Sequence, residues 1–364
     1  MEIKKIEDWG LGINTPLIIA GPCSAETEEQ VLSTLNGIAS NPKVNMLRAG
    51  IWKPRTRPNS FEGIGEEGLK WMQKAKEIHQ LPITTEVATP EHVEACLKHD
   101  VDVLWIGART TVNPFAVQAI ADALKGVDIP VMVKNPINPD LQLWIGALER
   151  LNNAGIDKLA AIHRGFSSFE ESPYRNAPKW EIPIELKRLT GIEIICDPSH
   201  IGGKRATIGM IAQKALDLDM NGLMIETHIN PDEAWSDAAQ QLNPVGLLDV
   251  LATLSYRSRT SDNEEFTNQL SILRTKIDEI DEDLIHRIAA RMQIAEQIGK
   301  YKKDNNVTIL QVNRWEEIVN KRVQEGANLN LSPEFMKGLL QIIHEESIRR
   351  QNEIMNKSGS EIKS

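Results

Sequence analysis

The chain has 364 residues, a formal net charge of -10, 41% hydrophobic content and three cysteines. That length holds one large barrel with an appendage or two domains, and the acidic balance argues against nucleic acid as a partner. Cys23, Cys96 and Cys196 are too widely spaced for a disulfide framework and fit a reducing cytoplasm. The start, MEIKKIEDWG, lacks the apolar core of a signal peptide, and no run reaches the roughly 18 apolar residues of a membrane span.

From residue 16 to 258 a short apolar run, a polar turn and an amphipathic stretch recur. Strands are expected at 16–20, 45–49, 82–87, 103–107, 130–134, 158–163, 191–196 and 222–226, with helices such as 66–79, 90–99, 114–124 and 141–152 between them. Eight such units in about 240 residues predict a (β/α)8 barrel, with a doubly wound sheet as the competitor. The strand ends decide between them. In turn they carry Cys23, Arg48 with Lys53, Glu86, Arg109, Lys134, Arg164, His200 and Glu226. A barrel gathers those ends on one rim, where active sites of this fold sit.

The stretch 45–60, NMLRAGIWKPRTRPNS, places Arg48, Lys53, Arg55 and Arg57 beside Pro54 and Pro58. Prolines restrict the loop, so its cations can be aimed at phosphate or carboxylate. Cys23, His200, Glu226 and Asp237 have metal chemistry, and a thiolate with imidazole and carboxylates suits a borderline divalent cation better than Ca or Mg. Their spacing alone does not show that they converge; Cys23 by itself reads equally as a buried structural thiol.

Beyond residue 258 the strand signals stop. A linker is expected over 259–267, its most polar part at 259–263, leading into a helical domain over 268–364. Helices are expected at 264–303, 311–327 and 333–356, the last opened by Ser332 and Pro333. The first carries an apolar stripe at Leu273, Ile277, Ile280, Leu284, Ile288, Ala295 and Ile298. Arg291 and Lys302 continue the stripe, within roughly 20° of each other, whereas Arg274 is turned by about 100°. Two inward cations need an anionic partner and the third faces elsewhere, toward another subunit; side chains snorkelling at a helix–helix seam are the equal alternative.

The motifs GPCSAE, LRAGIWKPRT, WIGART, VKNP, HRG, DPSH and IETH followed by SD resemble, in this order, those of 3-deoxy-D-arabino-heptulosonate 7-phosphate (DAHP) synthase, compact type I beta branch. The resemblance covers nearly all of 10–258 and implies condensation of phosphoenolpyruvate with erythrose 4-phosphate. It implies metal ligands Cys23, His200, Glu226 and Asp237, with Mn the first choice and Fe, Co or Zn the others. It places phosphoenolpyruvate on Arg109, Lys134 and Arg164 near Arg48 and Lys53, and erythrose 4-phosphate on Arg55 and Thr56. Lys53 and Glu86 are the candidates for moving protons or holding water; Asp197 reads equally as a structural strand-end residue. The related octulosonate and sialic acid synthases are the alternative, disfavoured by KPRT followed by GART. The branch's optional N-terminal regulatory domain is not expected.

The C-terminal part resembles the all-helical chorismate mutases from about Gln269 to Ile354. Arg274, Arg291, Lys302, Arg314 and Gln351 fall on that family's substrate positions, with Arg274 reaching a partner's site. The resemblance implies an intertwined homodimer and rearrangement of chorismate to prephenate, with Lys302 and Gln351 stabilising charge on the ether oxygen. Gln311 and Trp315 stand where the family commonly has acids. Prephenate is expected to feed back on the barrel. The rival reading is a barrel enzyme whose helical part only dimerises and senses ligand.

Overall fold

The computed structural model describes residues 1–53, 61–169, 172–258, 260–310 and 312–356, excepting the side chains of 312–314. Arg55, Thr56, Gln311 and the side chain of Arg314 therefore lie outside the described residues. The chain divides into two units, Met1–Arg259 and Thr260–Ser364.

In the first unit, eight parallel strands close on themselves in sequence order. They are β1 Leu17–Gly21, β2 Met46–Arg48, β3 Ile83–Val87, β4 Val103–Ile106, β5 Val131–Lys134, β6 Leu159–His163, β7 Ile194–Cys196 and β8 Gly222–Glu226. β8 pairs with β1 over its full length, Leu17 opposite Gly222 and Gly21 opposite Glu226. The doubly wound alternative is thereby removed. β7 starts three residues later than expected, because Gly191 takes a left-handed conformation (φ 70) that ends the preceding helix.

Alternate strand residues serve two apolar layers. Leu17, Ile19, Met46, Val103, Trp105, Met132, Ile162, Ile195 and Met224 form one cluster, which Ile6, Trp9 and Ile13 join from the N-terminal segment. Ile18, Ala20, Leu47, Leu104, Ile106 and Ala161 belong to the other, packed with helical residues such as Leu35, Leu69 and Trp144. Burial on both faces explains the nearly continuous apolar runs of the sequence. Each such Leu or Ile contributes about 1.5–3 kcal/mol on leaving water. The result is a rigid floor under the strand ends.

The helices start where their caps dictate. Thr27, Thr89, Asn113, Asp140 and Asn243 each accept a backbone N–H in the first turn that follows.

The second unit has helices Glu264–Asp304, Val312–Asn328 and Pro333–Asn356. The long helix starts at Glu264, as its expected span had it, so the linker ends at Asn263 and not at residue 267; the Asn263 side chain accepts the Phe266 N–H at 3.0 Å. The third helix packs along both others. Its contact with the long helix lies at Met292, Ala295 and Gly299, where a Cβ on Gly299 would stand 3.1 Å from Gln351 Cγ. The expected inward stripe therefore divides. Ala295 is buried, but Leu273, Ile277, Ile280 and Leu284 are 53–59% exposed in the single chain. Among the described residues no helix is long and apolar enough to cross a membrane.

Candidate active sites

The C-terminal strand ends of the barrel deliver side chains of both charges to one rim. Sγ of Cys23 and carboxylate oxygens of Glu226 and Asp237 all lie within 4.8 Å of one another. Cys23 follows β1 and Glu226 ends β8, so barrel closure brings them together. Asp237 comes from the loop after β8, with an unusual positive φ of 47. Its Oδ2 sits 3.5 Å from Cys23 Sγ. His200 is placed beside this trio, with Nδ1 2.8 Å from Asp197 Oδ2 and 3.8 Å from Glu226 Oε1.

Burial, then the Glu226 carboxylate, pushes the Cys23 thiol up to about 12. Burial also opposes ionisation of Asp237, yet His200, Arg175 and Lys53 hold it below the usual carboxylate range. Ligand bonds of about 2.0–2.3 Å require donors no more than about 4.6 Å apart, close to the spacing here. Glu226 Oε1 is buried and, among the described residues, makes no hydrogen bond; its nearest positive groups are Arg48 Nη2 at 3.3 Å and His200 Nδ1 at 3.8 Å. The thiol and two carboxylates converge around an unbonded carboxylate oxygen, with the His200 imidazole beside them and turned toward Asp197, a donor set that fits a divalent cation.

The cations surround this pole. Lys53 Nζ donates to the Cys23 carbonyl at 2.6 Å and lies 3.0 Å from its Sγ. Arg48, buried at the end of β2, places Nη2 3.3 Å from Glu226 Oε1. Lys134 Nζ is 3.0 Å from Asp197 Oδ2. Arg164 anchors its Nη1 on Asn176 Oδ1 at 2.8 Å. Burial, aided by Arg175 and Arg109 and resisted by Asp197, pulls the Arg164 pKa down to about 10. Arg109 is exposed on the short helix Ala108–Thr111 that follows β4. Glu86 Oε2 accepts the Trp105 indole N–H at 2.9 Å.

Sequence reasoning missed Arg175. Its Nη1 donates to Asp237 Oδ1 at 2.9 Å and to Gln240 Oε1 at 2.6 Å, while Gln240 Nε2 donates to Glu226 Oε2 at 2.6 Å. The residue sits in the long β6 loop rather than at a strand end; its setting in SPYRNAP was the available signal. Asp197, left open above, is fully buried and faces both Lys134 and His200.

In the helical unit, Arg291 and Gln351 occupy facing sides of the first and third helices. Arg291 Nη1 donates to Ser347 Oγ at 2.6 Å, and Gln351 Oε1 is buried without a hydrogen-bond partner among the described residues. Lys302 Nζ donates to the Ile309 carbonyl at 2.5 Å. Arg274 is exposed, so one chain does not bring it to this group. Trp315 stacks on His344 with ring centroids 3.9 Å apart, an aromatic pair where an acid was the commoner expectation.

Residues 2–258 match the profile of the DAHP synthetase I family, and residues 273–352 match that of chorismate mutase type II. The chain is 30% identical to a phospho-2-dehydro-3-deoxyheptonate aldolase of Thermotoga maritima over 62% of its own length and 65% of the relative's. It is 28% identical to a 2-dehydro-3-deoxyphosphooctonate aldolase of Vesicomyosocius okutanii, over 68% of this chain and 92% of that one. A crystal structure of the Thermotoga maritima DAHP synthase superposes with a TM-score of 0.59 at 27% identity, covering 65% of this chain and 67% of that chain. A truncated form of the synthase from that organism gives 0.57 at 25% identity, over 65% and 84%. With its profile match spanning the whole barrel, the chain belongs to the DAHP synthetase I family and carries a chorismate mutase type II region after the barrel.

Proposed function

We propose that the chain condenses phosphoenolpyruvate with erythrose 4-phosphate to give DAHP and phosphate, and rearranges chorismate to prephenate. Convergence of Cys23, Glu226 and Asp237 beneath a ring of cations carries the first part. Arg109, Lys134 and Arg164 take the phosphate and carboxylate of phosphoenolpyruvate, with Arg48 and Lys53 beside them. Arg55 and Thr56 take the phosphate of the aldose. C3 of phosphoenolpyruvate attacks the aldehyde carbon, water adds at C2, and phosphate leaves as the C2–O bond breaks. Lys53 gives a proton to the aldehyde oxygen, and Glu86, steadied by Trp105, holds the water.

The family generally depends on a metal, and the fit of the trio extends that to this chain. A divalent cation held by Cys23, His200, Glu226 and Asp237, Mn before Fe, Co or Zn, would supply Lewis acidity toward the aldehyde oxygen. Incubation with phosphoenolpyruvate and either erythrose 4-phosphate or arabinose 5-phosphate tests the substrate. Faster phosphate release with the pentose phosphate would move the chain to the octulosonate relatives.

In the helical unit, Arg291, Arg314 and a second copy's Arg274 hold the two carboxylates of chorismate in the reactive conformer. Lys302 and Gln351 meet the charge that develops on the ether oxygen. No base or nucleophile is needed. The buried Gln351 carbonyl, without a partner among the described residues, and Arg291 on Ser347 one helical turn away support this reading. Loss of chorismate absorbance measures it; an inert helical unit would leave a dimerising sensor instead.

Prephenate bound in the helical unit inhibits the barrel, as a first-step enzyme of aromatic biosynthesis requires a control point. A chain ending near Tyr256 escapes that inhibition; equal inhibition of both forms would remove the helical unit as sensor.

A further inference from the structure

The trio of ligand atoms is held by a separate set of buried hydrogen bonds between the loops after β1 and β8. Gln241 is fully buried, and its amide serves both loops: Oε1 accepts the Cys23 N–H at 2.9 Å, and Nε2 donates to the Ser236 carbonyl at 2.8 Å. One residue past Cys23, the hydroxyls of Ser24 and Ser236 meet at 2.5 Å. Glu26 Oε1 accepts from Ser24 Oγ at 3.2 Å and from the Trp235 N–H at 2.8 Å. His228 fixes the other carboxylate oxygen, its Nε2 3.3 Å from Glu26 Oε2, while its Nδ1 accepts the Asn230 N–H at 2.9 Å. Because Nδ1 is an acceptor, the ring proton is on Nε2 and points at Glu26.

Asp237 lies between the anchored residues Ser236 and Gln241, in a left-handed conformation that a non-glycine residue keeps only where its surroundings impose it. Those bonds impose it. We propose that Gln241 and Glu26 are positioning residues: they hold the Cys23 and Asp237 loops together so that Sγ and Oδ2, 214 residues apart in sequence, meet at 3.5 Å. Neither residue is a ligand. The proposal rests on the reading that Cys23 and Asp237 hold a divalent cation.

The test uses full-length protein stripped of metal and titrated with cobalt(II), whose near-ultraviolet thiolate absorption reports Cys23 ligation directly. Gln241→Met fills the same volume without either hydrogen bond. Glu26→Gln keeps an oxygen for Ser24 and Trp235 but turns an amide N–H toward the His228 N–H. Both variants are expected to bind cobalt roughly 10- to 100-fold more weakly, as loss of outer hydrogen bonds to a metal site generally does. The thiolate band is expected to shift or fade, while the far-ultraviolet circular dichroism of the apo protein stays unchanged. Glu26→Gln protein that binds cobalt with wild-type affinity and spectrum overturns the positioning role, whatever becomes of Gln241→Met. Wild-type protein without a thiolate band overturns the cation reading itself, which is a distinct result.

Discussion

Arg48 Nη2 lies 3.3 Å from Glu226 Oε1, and the two side chains are 1% and 0% exposed. The same guanidinium packs over the Trp105 ring at 4.8 Å. Removing one member of a buried pair leaves the other charge without an answer, at a cost of about 3–5 kcal/mol. Arg48→Met is expected to lose stability on that scale in urea unfolding of the barrel, with synthase activity lost as well. A change below about 1 kcal/mol would show that Arg48 does not neutralise Glu226.

Metal removal is the second expectation. Chelation should abolish phosphate release from phosphoenolpyruvate, and Mn should restore it. Cys23→Ser should need far more Mn for the same rate, because an uncharged hydroxyl replaces a thiolate. Mutase turnover should survive the chelator. Undiminished synthase activity in metal-free protein would end the assignment of Cys23, His200, Glu226 and Asp237.

The two sites should also separate by mutation. Arg291→Ala should lose chorismate turnover by several kcal/mol of transition-state stabilisation and keep DAHP formation. Arg109→Ala should do the reverse. Loss of both activities in either well-folded variant would show that the two sites are not independent.

His163 gives the barrel a pH dependence. It is fully buried against Phe166 and Trp180, and burial, with the nearby Arg164 charge, lowers its pKa from 6.5 to about 3. The unfolded chain thus takes a proton on this imidazole at a pH where the folded chain does not. Stability is full above about 6.5 and falls as the pH drops toward 3, by about 1.4 kcal/mol per pH unit. His163→Phe should reduce the difference in urea stability between pH 7.5 and 5.5 by about that amount. An unchanged difference would place the acid sensitivity elsewhere.

The exposed half of the long helix makes a further test. Leu273, Ile277, Ile280 and Leu284 form an apolar face more than half exposed in one chain, which an intertwined second copy would cover. Leu284→Asp should convert a dimer to a monomer by light scattering, and mutase turnover should fall because Arg274 no longer reaches a second site. A variant that remains dimeric would move the interface off this face.

Most of the barrel was legible because a parallel strand buried on both faces leaves an apolar run that turn residues punctuate. The strand-end rule then singles out Cys23, Arg48, Glu86, Lys134 and Glu226 as candidates from local sequence alone. Arg175, Gln240 and Gln241 escaped it. They sit in loops after β6 and β8, and what they touch depends on barrel closure rather than on any spacing. The apolar stripe of the long helix was legible, but the exposure of Leu273, Ile277, Ile280 and Leu284 in a single chain was not. Periodicity shows that a face is apolar, and not which molecule covers it.

Closure of β8 onto β1 has a consequence for how the protein is made. Cys23 emerges from the ribosome early, and Asp237 follows 214 residues later. At ordinary elongation speeds the gap is roughly ten to forty seconds. Throughout it, the thiol has neither its burial nor the neighbouring carboxylates that raise it to about 12 in the finished barrel. A free cysteine titrates near 8.5, so the nascent chain passes through a period when this sulfur is far more open to oxidants and stray soft metals. Oxidation of this thiol is therefore expected to be faster in newly made chains than in the folded barrel, where it is buried.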